Sequence, residues 1–328
     1  MVVVTGGTGV LGEFLLQKLS ESGAEVVAIR RKHSTIPNGL PIRWEEADLS
    51  DPNRLTDVFK DASIVIHAAA HVSFNPRERD LMMQINVEGT QHVVNACLAA
   101  GVPRLLHVSS VAALGRQRGV KVIDESSKWI ESSLNSDYAE SKYLAELEVY
   151  RGQEEGLAID IINPSVILAP NRSNRSSAQI FHYVLKKRKF FTEGQVNYVD
   201  VRDVATATLK LMERNATGQR YILNGGHIEI QRLLEAIAQR LDVRAPSIKV
   251  PNSILRILVA TERLRSAITG SPPWVTAQTL RGTKTRFQYN NRKAVNDLGL
   301  QFTDLENTLD WCCNWYRTAY NKQSIPAS

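Results

Sequence analysis

Eight residues near the start, Thr5-Gly6-Gly7-Thr8-Gly9-Val10-Leu11-Gly12, constrain this chain more than any other stretch. They lie between a short apolar run, Val2 to Thr5, and a segment with Leu11, Leu15 and Leu19 four apart. The first pattern predicts a buried strand and the second an amphipathic helix. Gly6, Gly9 and Gly12 follow a GxxGxxG spacing. Glycine allows a tight turn and close approach of a pyrophosphate, and the last of the three lets the helix pack on its strand. A helix start offers N–H groups and partial positive charge to phosphate oxygens. Such a turn says little alone. Between a first strand and a first helix it predicts dinucleotide binding, with Gly6, Thr8, Gly9, Val10, Leu11 and Gly12 at the phosphates.

The rest of the N-terminal half alternates strand and helix periods. Strands are expected at 25–29, 42–47, 62–68, 105–109 and 158–163, and helices at 52–59, 79–100 and 137–153. In the long helix Leu81, Ile85, Val93 and Cys97 mark the expected buried face. Apolar strands alternating with helices predict an α/β Rossmann-type, doubly wound parallel sheet. After Pro164 the alternation weakens, although 198–212 and 230–241 read as helices and 220–223 and 248–250 as short strands. The expected organisation is a dinucleotide-binding core over 1–165 and a smaller, mainly substrate-binding lobe over 166–328, with 198–225 returning to the core.

The end of the second strand reports on the adenosine ribose. An acidic residue there holds a ribose 2′-OH; here Arg30 stands, followed by Arg31 and Lys32. Guanidinium suits a 2′-phosphate, so NADP is favoured and NAD is second choice. A solvated basic loop is the plainer alternative. Asp48, followed by Leu49, ends the third strand and is read either as an acceptor for the adenine amino group or as a turn residue before Ser50.

The chain's 328 residues carry a net charge of +6, so nucleic-acid binding has to be weighed, but no nucleic-acid motif accompanies it. The run Lys186-Lys187-Arg188-Lys189 reads first as a solvated face and second as a neighbour of an anionic substrate. No stretch approaches the roughly 20 apolar residues that span a bilayer. Three cysteines without metal-ligand spacing suit a reducing compartment, and a first strand at Val2 leaves no room for a leader, so a cytoplasmic location is expected.

Reduction of a carbonyl needs a hydride source, a proton donor at the carbonyl oxygen, and something to lower that donor's pKa. Tyr138 and Lys142 stand at i and i+4 of one predicted helix. A nearby ammonium favours the phenolate. Tyr183 with Lys187 and Tyr289 with Lys293 share the spacing, so position decides. Tyr138 opens the helix that follows the strand ending at Ser109-Ser110. In a doubly wound sheet such ends gather where the cofactor lies.

With these motifs in place, the chain resembles the extended short-chain dehydrogenase/reductases over nearly its full length. TGGTGVLG at 5–12, DLSD at 48–51, HAAA at 67–70, NVEGT at 86–90, VSSVAALG at 108–115, YAESK at 138–142, NPSVILAP at 163–170 and YVDVRDVATA at 198–207 match that family in order and spacing. The resemblance implies that Tyr138 is the general acid/base and that Lys142 binds the nicotinamide ribose and tunes Tyr138. Ser110, rather than Ser109, would bond the substrate oxygen. It further implies that Ala68, Ala69 and Ala70 leave room for the ribose, that Pro164 and Val166 border the nicotinamide, and that Asn86 orients backbone or water beside it. Asn86 also reads as a helix-interior polar residue. A homodimer is implied as well.

Within the family, 4,6-dehydratases carry an Asp-Glu pair after the catalytic Ser or Thr, where this chain has Val111-Ala112. Epimerases retain NAD, which Arg30 disfavours, and more often have arginine where Asn163 stands. HAAAHVSF at 67–74 and INPSVI at 162–167 look closer to the dihydroflavonol 4-reductase and 3β-hydroxysteroid dehydrogenase branches. The reading is NADPH-linked reduction of a ketone or aldehyde, or its reverse, on a small-molecule substrate. A retained-NAD epimerase is the alternative, and a non-catalytic cofactor-sensing protein the alternative from another class. Substrate-lining segments are expected at 71–77, 111–118 and 167–198, with His71 and Phe74 read equally as substrate contacts or as packing.

Overall fold

The first strand, β1 (Val2–Thr5), is buried along its whole length, as an apolar run with helices on both faces must be. A computed structural model describes residues 1–37, 39–117, 119–171, 177–215, 217–269 and 286–323. Arg118 and residues 172–176 of the expected lining segments lie outside these. The chain divides into two units.

The first unit comprises Met1–Ser165, Val201–Leu223 and Tyr289–Gln301. Its strands are β1, β2 (Val26–Arg30), β3 (Arg43–Glu46), β4 (Ile64–His67), β5 (Arg104–Val108), the two-residue β6 (Val122–Ile123), β7 (Ala158–Pro164) and, after elements of the second unit, β11 (Gln219–Leu223). Seven of them form one sheet in the order β11-β7-β5-β4-β1-β2-β3. Every pairing in it is parallel. The order reverses at β1, whose carboxyl end carries the glycine turn, and such a reversal opens a crevice there.

Helices α1 (Val10–Glu21) and α7 (Val201–Met212) pack together, as do α2 (Pro52–Phe59) with α4 (Gly89–Ala99) and α4 with α5 (Asp137–Glu154). Val3, Val27, Val65, Leu105, Val93, Val94 and Cys97 belong to one buried cluster. Under α7, Arg104 bonds Asp160 at 2.5 Å and donates to the carbonyls of Leu211 and Arg214 at 2.6 and 2.7 Å. A side chain from β5 thereby satisfies carbonyls that end the helix.

The long helix expected over 79–100 is interrupted. It runs as α3 (Arg79–Met83), a π turn at Gln84–Glu88, then α4. A π turn inserts one residue and rotates the following face. The residues before the turn are thus out of phase with the buried face of α4: Leu81 is exposed at 45%, while Met82 and, within the turn, Asn86 are buried. The predicted Leu81–Ile85 face is corrected accordingly.

The second unit comprises Val166–Asp200, Asn224–Gln288 and Phe302–Ser328. In it β8 (Val166–Leu168), β10 (Gln195–Asp200) and β12 (Gly226–Glu229) form one sheet, and β9 (Phe190–Phe191) pairs with β13 (Ile248–Lys249). A further two-residue strand, β14 (Gln288–Tyr289), has Gln288 in the second unit and Tyr289 in the first. Helices α6 (Ala178–Leu185) and α8 (Ile230–Leu241) and the helix Leu305–Gln323 bury Phe181, Leu233, Ile237, Leu309 and Cys312 in its core. The expected helix at 198 begins at Val201, because Tyr198 to Asp200 pair in β10. Among the described residues no helix is long and apolar enough to cross a membrane.

Candidate active site

The glycine turn is built to a tolerance of one carbon atom. Gly6 has φ 75°, and a Cβ there would stand 2.6 Å from the Ala69 nitrogen. A Cβ on Gly12 would meet the Gly6 carbonyl oxygen at 2.2 Å. Gly9 caps α1 without a side-chain oxygen, leaving first-turn N–H groups to face whatever lies at the turn. Thr8 and Gly9 are exposed, Val10 and Leu11 half-buried. Ala68 and Ala69, half-buried, meet the turn directly, and Ala70 beyond them is exposed. The fit to a dinucleotide pyrophosphate rests on this backbone cradle and the open helix start.

Ser110, Tyr138 and Lys142 converge. Ser110 follows β5 and caps a short 3₁₀ turn, its Oγ accepting the Ala112 N–H at 3.2 Å. Its side chain also hydrogen-bonds Tyr138. Tyr138 sits in the first turn of α5, whose N-cap Ser136 accepts from Ala139 N–H at 3.1 Å. One turn on, Lys142 is 2% exposed and donates from Nζ to the Val108 carbonyl at 2.9 Å. Burial lowers the Lys142 ammonium to about 8, against a smaller upward pull from Glu146. Burial raises Tyr138 above its ordinary value, and the Ser110 bond offsets this in part. The expected depression of Tyr138 by Lys142 is not what the protein alone produces, since burial is the largest influence on Tyr138 and the ammonium is bonded to Val108. Ser109 is buried and its Oγ has no hydrogen-bond partner.

A second buried network lies beside this group. Thr90 Oγ1 donates to the Asn86 carbonyl at 2.6 Å, which uses its one proton. His67 Nε2 then donates to Thr90 at 3.0 Å, and Nδ1 accepts from Thr5 at 2.7 Å. That tautomer is neutral, in keeping with burial, which lowers His67 to about 3. Asn86 accepts the His71 N–H at 2.7 Å and donates to the His71 carbonyl at 2.9 Å and Ser141 Oγ at 3.0 Å. Asn86 thus fixes backbone, and the π turn is what aims it inward.

His71 itself bonds Glu78 at 2.7 Å, which assigns its ring to stitching the loop. Phe74, 47% exposed, stands edge-on to the Tyr138 ring at 6.1 Å.

At the other end of the sheet Arg30 terminates β2, opposite Glu46 of β3, and the two side chains pair at 3.4 Å. Glu46 was not singled out in the sequence; the parallel register brings it there. Asp48 Oδ1 accepts Ser50 N–H and Oγ–H at 2.9 and 2.8 Å, which holds the turn after β3. Leu49 packs on Gly89 and offers its carbonyl to His92 at 2.7 Å. Pro164 is buried at the end of β7, whereas Val166 opens β8 in the second unit and is 39% exposed. Glu146 is the other functional candidate that sequence reasoning missed: it is wholly buried and bonds Asn163 and Arg220, residues distant along the chain.

The NAD dependent epimerase/dehydratase family model matches residues 2–226. A Synechocystis sp. protein, provisionally named a dihydroflavonol 4-reductase, is 30% identical over 96% of this chain and 94% of its own. The crystal structure of gox2253 is 31% identical, with TM-score 0.83 over 97% of this chain and 98% of its own. MoeE5, solved with UDP-glucose and NAD, shares the fold at 22% identity and TM-score 0.77, over 97% and 99%. The chain therefore belongs to the NAD dependent epimerase/dehydratase family, whose members are NAD(P)-dependent extended short-chain dehydrogenase/reductases.

Proposed function

We propose that the protein reduces a ketone or aldehyde carbonyl on an apolar small molecule, using exchangeable NADPH. The observation that carries the reading is the Ser110–Tyr138 hydrogen bond, with Lys142 buried one turn further along α5. Bound nicotinamide supplies a hydride. Ser110 Oγ orients the substrate oxygen, and Tyr138 Oη delivers the proton as alkoxide charge develops. A tyrosine raised above its ordinary value stays protonated through neutral pH. That suits an acid in the reductive direction. Lys142 would hold a cofactor ribose hydroxyl.

Two observations bear on the finer choices. Phe74 presents exposed aromatic surface against Tyr138, which favours apolar, ring-bearing substrates over sugar nucleotides. Arg30 favours NADP, with the 2′-phosphate taking over the guanidinium from Glu46. The name of the Synechocystis sp. relative agrees with reduction as the chemistry.

The test is NADPH oxidation at 340 nm with a panel of aromatic aldehydes and ketones. Tyr138→Phe is expected to lose about 10²–10⁴-fold in kcat while binding NADPH as the wild type does. Unchanged turnover in Tyr138→Phe would remove the assignment.

A further inference from the structure

We propose that Glu146 is a positioning residue for this reaction, and that Asn163 couples it to Ser110, so that one buried carboxylate governs two of the reacting groups. The proposal rests on the reading of Ser110, Tyr138 and Lys142 given above.

Glu146 lies one turn beyond Lys142 on α5, and residues four apart share a helix face. It is 0% exposed. A carboxylate so placed has to be paired and hydrogen-bonded. Oε2 pairs with Arg220 of β11, and Oε1 accepts from Asn163 Nδ2 of β7 at 2.6 Å. The same Asn163 nitrogen donates its other hydrogen to the Ser110 carbonyl at 2.9 Å. An ion pair serving the fold alone has no need of that second bond. It ties the carboxylate to the backbone of the residue whose side chain bonds Tyr138.

The electrostatic arm reaches Lys142. Among the described residues, Tyr138 and Glu146 share the α5 face with Lys142, His67 on β4 and His107 on β5 feel its charge, and Arg220 on β11 joins the group through Glu146. Both histidines are wholly buried and neutral, so neither offsets the ammonium. Arg220 is held by Glu146 and lies over the Tyr150 ring. Glu146 supplies the negative charge in this set. Its loss would also leave Arg220 without the carboxylate that holds it.

The decisive experiment measures NADPH affinity against pH by nicotinamide fluorescence, on the full chain, for wild type, Glu146→Gln, Glu146→Asp and Asn163→Ser. Turnover of 4-nitrobenzaldehyde is followed in parallel, and circular dichroism reports folding. In wild type, affinity falls as Lys142 loses its proton near pH 8. Glu146→Gln should move that inflection down by about one pH unit, and Glu146→Asp should restore part of it. Asn163→Ser should leave the inflection in place and lower turnover about tenfold, as loss of a hydrogen bond to a positioned group does.

A Glu146→Gln inflection that coincides with wild type overturns the proposal, as does wild-type turnover in Asn163→Ser. If Glu146→Gln does not fold, Glu146→Asp and Asn163→Ser decide it. Turnover surviving in Tyr138→Phe would instead bring down the underlying site reading. Loss in Tyr138→Phe with an unmoved Glu146→Gln inflection sinks only the present inference.

Discussion

Gly12 marks how far a single residue can be read in sequence. Its spacing from Gly6 and Gly9 signals a tight turn, and the structure supplies the reason: a Cβ at 2.2 Å from the Gly6 oxygen and 2.8 Å from the Gly7 Cα. Both neighbours are backbone, so neither can rotate away. Gly12→Ala should push α1 off β1, destabilising by about 1–3 kcal/mol, and weaken NADPH binding. Thermal denaturation and a cofactor titration read the two effects; an unchanged melting temperature would show that the turn yields more easily than this geometry implies. Glu146 marks the opposite limit. Nothing local distinguishes it from any helical glutamate, because its meaning comes from Asn163 and Arg220, brought beside it by strand pairing.

At the scale of elements, strands buried on both faces were legible because continuous apolar runs have few other uses. The break in the long helix was not. A π turn shifts the helical period by one residue, and Leu81, Ile85 and Val93 still look periodic across it. The cost of missing it was the burial of Asn86, whose side chain holds the 71 backbone and Ser141. The start of α7 was placed three residues early for a related reason. Tyr198 and Val199 suit either element, and pairing with β8 and β12 decides for a strand.

Over the whole molecule, the price of the buried polar machinery should appear as acid sensitivity. An unfolded histidine takes up a proton near its ordinary value of 6.5, whereas His67 stays neutral to about 3 and His107 is likewise held well below 6.5. Between those limits the unfolded state binds more protons than the native state, so stability falls as pH drops through 6.5. The melting temperature should therefore decline from pH 7.5 to pH 5. His107→Leu, which removes a ring whose two nitrogens have no hydrogen-bond partner, should flatten that decline. An unaltered slope in that variant would place the acid sensitivity elsewhere.

The same scale holds the claim on which the functional account turns, that the cofactor is NADPH and is exchanged at each turnover. Arg30 and the glycine turn lie at the carboxyl ends of the neighbouring strands β2 and β1. The pairing of Arg30 with Glu46 could not be read in sequence, since it depends on the register of β2 with β3. The most direct measurement is a parallel titration of dialysed protein with NADPH and NADH, followed by nicotinamide fluorescence. The account predicts NADPH binding at least about tenfold tighter, a difference of about 1.4 kcal/mol, with no nucleotide left after dialysis. NADH binding as tightly or more so, or NAD that dialysis does not remove, would contradict it and put the retained-NAD epimerase reading in its place.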